Sequence, residues 1–262
     1  MSLNKNETSL NLFRTEIDKI DSDIIKLLKQ RMQVISRVAQ FKKSVGEKFF
    51  IKSAREADMV KDLIAQFPDF PASAISKIWR AIITSANLHE QPISALIYNP
   101  KNLPDYKYLV REYYLNILPI FEFKNFVQII ENLEKKPAQI VAFPASEASL
   151  EDWWIDFAKN KIGLKIFAKI KNNFEHELFL SAIKQQEKSS ADKSLLVIEI
   201  EKGDHLNAVA LMENNKIPAK ILASKNEIYL LELDGFYDNE DRRFDNFKKT
   251  CTIFSIIGNY PN

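Results

Sequence analysis

Arg31 and Lys42 fall where a helix should present apolar residues. The stretch LLKQRMQVISRVAQFKKSVG, residues 27–46, reads as helix, and Arg31 follows Ile24 by seven residues on its apolar stripe. Eleven residues later Lys42 returns to the same face, about 20° away around the axis and about 16 Å along it. A buried cation is costly unless an anion meets it. Each could instead snorkel to water or pair with an acid such as Glu56 or Glu90. Two cations in register, with further basic residues near them, favour a dianionic ligand. Arg14 lies 28 residues before Lys42, about 42 Å along the same helix. It reaches a pocket at Arg31 and Lys42 only from the partner chain of an antiparallel pair.

The elements that hold these residues are helical up to about Gln91. Between residues 8 and 44 nothing interrupts an apolar series that includes Leu10, Phe13, Ile17, Ile20, Ile24, Val38 and Phe41, so one helix of about 35 residues is predicted. A second starts at SARE, where Ser53 and Glu56 have capping-box spacing. A third starts at Pro71 and carries Ile75, Ile78, Trp79, Ile82, Ile83 and Ala86. One long helix and two shorter ones leave an apolar stripe uncovered, which an intertwined homodimer would bury.

Beyond residue 91 the pattern changes to α/β. Residues 92–190 contain SALIYN, YYLNILPIFEF, NFVQIIENLEK and QIVAFPAS, and QQEKSSADK (185–193) reads as a polar linker. Residues 191–262 alternate in a β-α-β-β-α-β order, as in a ferredoxin-like module, with a helix expected at HLNAVALMENN. The expected fold class is therefore α+β: helices over 1–91, a small α/β unit over 92–190, and a ferredoxin-like unit over 191–262.

Composition excludes several alternatives. The 262 residues carry a formal charge of only +2, spread along the chain, so nothing points to nucleic acid. Cys251 is the single cysteine, and His89, His176 and His205 are far apart, so no metal-ligand spacing exists. No apolar run is long enough to span a membrane, and the N-terminal residues do not form a signal peptide. A cytoplasmic, reduced protein is expected.

LNLFRTEIDKIDSDIIKLLKQRMQVISRVAQFKKSVG followed by SAREADMV resembles the all-helical bacterial chorismate mutases over residues 9–91. The shared pattern is L-x-x-hydrophobic-R-x-x-I-D-x-I-D, a basic residue after the leucines, a lysine eleven further on, and an R-E pair opening the second helix. The resemblance implies rearrangement of chorismate to prephenate, in phenylalanine and tyrosine biosynthesis, with no cofactor or metal. By position, Arg14 of the other subunit and Arg31 would clamp carboxylates, and Lys42 would touch a carboxylate and the breaking ether oxygen. Arg55 would orient this cluster, and Glu56 would take the substrate hydroxyl while also serving as cap. Glu90 falls where the family has Gln or Glu beside the ether oxygen, and a carboxyl helps there only when protonated. Lys52 stands where an acid is common, and Ala86 or Thr84 near a small polar position.

The remainder resembles a reduced prephenate dehydratase. PISALIYNP is similar to the start of that domain, and Pro144 and Glu147 echo one of its segments. The family's T-R-F is absent from KSSADKSLLVIEI, and residues 93–190 are short for a two-lobed site, so dehydratase activity is not expected. YLLELDGFYDNEDRRFDNFKKTCTIFSIIGNYP resembles the end of an ACT regulatory domain, while its effector-binding turns are degraded to GDHLNAV and LASK. Val209, Leu211 and Ile221 are expected to be core. The alternatives to a mutase are a bifunctional mutase–dehydratase and a non-catalytic scaffold that kept the fold.

Overall fold

The computed structural model describes residues 2–47, 49–136, 138–145, 152–171, 176–200 and 217–261. The N-terminal part is helical: α1 (Ser2–Ser44), α2 (Ser53–Gln66) and α3 (Ala72–Glu90). Helix α1 starts six residues earlier than its apolar pattern predicts and spans about 65 Å. Neither Gly nor Pro interrupts it, and it stops where glycine first permits a reversal. Gly46 has φ +75°. Its N–H donates to Lys43 O at 3.1 Å, and the Glu47 N–H donates to Lys42 O at 3.0 Å. That pair of bonds is a Schellman turn. It sends the chain back over Lys42.

The expected capping box at α2 does not form. Lys52 is the N-cap residue, with no side-chain cap. The Ser53 hydroxyl instead accepts from Lys184 Nζ at 3.2 Å, and Glu56 turns toward α3 (below). Pro71 immediately precedes α3, and its carbonyl accepts from the Ala74 and Ile75 amides.

The rest is α+β, as expected: β1 (Ala95–Tyr98), α4 (Pro104–Tyr113), β2 (Ile120–Phe123), α5 (Phe126–Lys135), β3 (Ile140–Pro144), α6 (Trp153–Lys159), β4 (Leu164–Lys171), β5 (Glu177–Ile183), β6 (Asp192–Ile200), β7 (Ala219–Lys225), β8 (Ile228–Asp234), α7 (Asp245–Lys248) and β9 (Cys251–Pro261). Tyr113 ends α4 rather than opening a strand. Strand β6 already begins at Asp192, inside the expected linker. The helix expected at HLNAVALMENN, with His205, Val209 and Leu211, lies outside the described residues, as does Glu147.

Among the described residues nine strands join one mixed sheet, in the order β2-β1-β3-β5-β4-β9-β6-β8-β7. The last four positions, β9-β6-β8-β7, pair antiparallel throughout. This is the sheet order of a ferredoxin-like unit. Its edge β9 pairs parallel with β4 at Ile166 and Gly258, which fuses the two α/β segments into one sheet. The continuous apolar run of β3 is buried on both faces. Trp153 stacks on Phe143 at 4.6 Å and donates Nε1–H to Pro144 O, satisfying its polar atom inside the core. Ile221 is exposed, not core.

Helix α1 stays largely uncovered. Leu10, Phe13, Ile17, Ile20, Ile24 and Leu27 are each about half exposed or more. Phe13 at 62% and Leu27 at 63% are far above what a closed core tolerates.

Candidate active site

Lys42 and Glu90 meet. Lys42 Nζ donates to Glu90 Oε2 at 2.7 Å and to Phe50 O at 2.8 Å, and lies 5.1 Å from the centre of the Phe50 ring. The side chains are 12% and 5% exposed, so this pair is desolvated. An ammonium has three donors. Two are directed into the protein, and the third can reach a ligand. The Schellman turn explains the geometry: it reverses the chain after Lys42 and brings Phe50 back eight residues later. No local sequence signal marks Phe50, because it acts through its carbonyl.

Arg31 sits in an apolar groove of about 550 Å³ with Ile24, Leu28, Leu63, Trp79 and Ile82. Its Nη1 is buried without a hydrogen-bond partner. A buried guanidinium nitrogen left unsatisfied costs free energy that nothing in its own chain offsets.

The remaining candidates do not converge within one chain. Arg14 is exposed, and its contact is Asn11 Oδ1 at 3.4 Å. Arg55, also exposed, lines a 720 Å³ cavity with Lys52, Asp58, Asp62 and Lys188. Glu56 lines a different cavity, of about 300 Å³, with Arg80, Asn87, Tyr113 and Lys169. The reason is helical: adjacent residues diverge by about 100°. Asn87 Nδ2 donates to Glu56 Oε1 at 3.0 Å, and Arg80 Nη1 lies 3.4 Å from Oε2. Glu56 is thus engaged by α3 rather than offered beside Arg55. Burial works against the Arg80 charge, but Tyr113 and Glu56 hold its pKa above the ordinary value. Its guanidinium stacks 4.3 Å from the Tyr113 ring centre. Burial pushes the Tyr114 phenol well up.

Lys52 is not free for substrate. It is paired with Glu47 and, at 3.1 Å, with Glu187. Burial opposes its charge, but these two carboxylates raise its pKa on balance. Ala86 and Thr84 are both buried, and Thr84 Oγ1 has no partner. Arg80, Asn87, Lys184 and Glu187 escape a reading by motif. They act across elements far apart in sequence, and only Asn87 and Arg80, one face of α3 at i and i+7, leave a periodic trace.

Residues 13–91 match the family model of type II chorismate mutase. The matched segment runs from Phe13, about three turns into α1, to the end of α3, and contains Arg14, Arg31, Lys42, Arg55, Glu56 and Glu90. The geometry of the matched segment is thus a pre-paired Lys42 and an unsatisfied Arg31, with Arg14 on an uncovered arm. No curated protein matches the chain. Among solved structures it is similar to GqqA, described as a novel type of quorum quenching acylase (13% identity, TM-score 0.47, covering 65% of this chain and 95% of that one). It is also similar to a prephenate dehydratase from Streptococcus mutans (12%, 0.41, 64% and 97%). A third is the prephenate dehydratase from Arthrobacter aurescens in complex with L-Phe (9%, 0.46, 64% and 90%). Among the described residues no helix is long and apolar enough to cross a membrane, and no group of His, Cys, Asp and Glu is placed to hold a metal.

Proposed function

We propose that this protein is a chorismate mutase, active as a homodimer in the cytoplasm, in which the partner chain supplies Arg14. The observation that carries the reading is Arg31: a buried, unpartnered guanidinium nitrogen inside the segment that matches the mutase family. A substrate with two carboxylates offers the missing acceptor. The uncovered apolar side of α1 supports the dimer, since a second α1 laid antiparallel would cover it and carry Arg14 toward Lys42.

The reaction asks little of side-chain chemistry. One C–O bond breaks and one C–C bond forms within a single molecule, so no nucleophile or proton relay is needed. The protein must hold the folded diaxial conformer and stabilise charge as it gathers on the ether oxygen. Arg31 and the partner's copy of Arg14 would fix the carboxylates. Lys42, already held by Phe50 O and Glu90, would direct its remaining N–H to the ether oxygen without reorganising. In this reading residues 92–190 are a dehydratase-like remnant and 191–262 an ACT-like module.

Purified protein should consume chorismate and release prephenate; absence of turnover refutes the reading. The same reaction monitored for phenylpyruvate tests the expectation that prephenate goes no further. Glu90 accepts from Lys42 Nζ, so its part in this reading is to hold the lysine that faces the ether oxygen rather than to donate there itself. Glu90→Ala removes that acceptor and should cost more turnover than Glu90→Gln, which keeps an amide oxygen for Lys42. Equal rates in the two variants rule this role out.

A further inference from the structure

Helix α2 lacks the N-terminal cap that its own sequence offers, and the sheet takes over that task. Ser53 is turned from cap to acceptor by Lys184, which follows β5. Lys184 Nζ donates to Ile51 O at 3.1 Å and to Ser53 Oγ at 3.2 Å. It lies 5.1 Å from the Phe167 ring centre and 3.6 Å from Glu187. Its side chain is only 5% exposed. An ammonium at a helix N-terminus opposes the helix dipole. Burial also lowers its pKa despite the nearby Glu187 and Glu56. A cation kept in so unfavourable a place is held there by its acceptors, and it holds them in turn.

The contact is not isolated. Glu187 pairs with Lys52, the N-cap residue of α2. One turn further on, the Ser190 N–H donates to Asp58 Oδ1 at 3.1 Å, and Lys61 Nζ donates to Ser190 Oγ at 3.1 Å. Residues 184–190 thus run beside the first two turns of α2 and grip both. Those turns carry Arg55 and Glu56.

We infer that Lys184, a residue of the sheet region, is a positioning residue for the mutase site: by holding Ile51 O and Ser53 Oγ it fixes the chain beside Phe50, whose carbonyl holds Lys42. The inference rests on the mutase reading. It also accounts for Lys52 at a position where an acid is common, because here that residue bridges to Glu187.

The test uses full-length protein. Lys184→Met should lower kcat/KM for chorismate about tenfold, because it loosens the segment whose Phe50 carbonyl holds Lys42 while removing no group that touches substrate. Lys184→Arg, which can donate to both acceptors, should restore kcat/KM. An unchanged kcat/KM in Lys184→Met, or no rescue by Lys184→Arg, overturns the inference. If Lys184→Met does not fold, Ser53→Ala breaks the same contact from the helix side, and a native kcat/KM there overturns it equally. Amide exchange over residues 53–58 reads the anchoring without turnover: it should quicken in Lys184→Met, and unchanged exchange refutes it. A wild type without activity would sink the mutase reading and leave exchange to decide the anchor.

Discussion

Arg31→Met should lower kcat/KM for chorismate by roughly 10²–10³-fold while leaving the chain as stable as wild type, or more stable. The two halves of this result have separate causes. Turnover falls because a preorganised donor to the substrate is lost. Stability is kept because Arg31 Nη1 is buried without a partner and the groove around it is built of Ile24, Leu28, Leu63, Trp79 and Ile82. A methionine fills that groove and leaves no unsatisfied donor. Lys42 gives no such separation. Its removal strands Glu90, which is 5% exposed, and breaking a buried pair from one side costs about 3–5 kcal/mol. A dead Lys42→Met enzyme would therefore report on folding as much as on catalysis. Steady-state kinetics beside a denaturant melt measure both halves for Arg31→Met. A loss of stability of about 2 kcal/mol or more would show that Arg31 is a structural residue, and an active variant would remove it from the site.

What the sequence revealed and what it hid divide along a physical line. Periodicity is local, so α1, α2 and α3 are legible, whereas the pattern leaves Glu56 and Glu90 equally open as partners for Lys42 and only the fold selects Glu90. Gly46 is legible as a stop, because only its φ +75° turn permits the Schellman bonds. The capping box at Ser53 and Glu56 satisfies every local rule and still does not form. Lys184, 131 residues later, takes the hydroxyl, and Asn87 and Arg80 take the carboxylate. A pattern that pairs Ser53 with Glu56 sees neither competitor. The same holds for Arg55 and Glu56: adjacency in sequence suggests one site, whereas the helix turns them to two cavities. The junction of β4 with β9 is a further long-range case, between residues 92 apart. Each strand is readable alone, yet nothing local says that Ile166 faces Gly258.

That junction makes Gly258→Ala the substitution with the largest expected cost to the sheet. A Cβ at residue 258 would lie 2.5 Å from Ile166 O and 2.6 Å from Ile166 N. These are backbone atoms of β4 and cannot rotate aside as a side-chain end could. Glycine is required here by close approach of two strands rather than by an unusual φ. Relief must come from separating β4 and β9, which pair at this one position and hold the two halves of the sheet together. Overpacking of this kind costs about 3 kcal/mol, which for a chain of this size lowers Tm by roughly 6–12 °C. Gly46→Ala is the control: no atom lies within 4 Å of its Cβ position, so only the positive φ is penalised, at about 1 kcal/mol. Calorimetric melting of the two variants should rank Gly258→Ala clearly below Gly46→Ala. Equal melting temperatures would mean that β4 and β9 do not approach as closely as Gly258 allows, and that the sheet is not continuous through them.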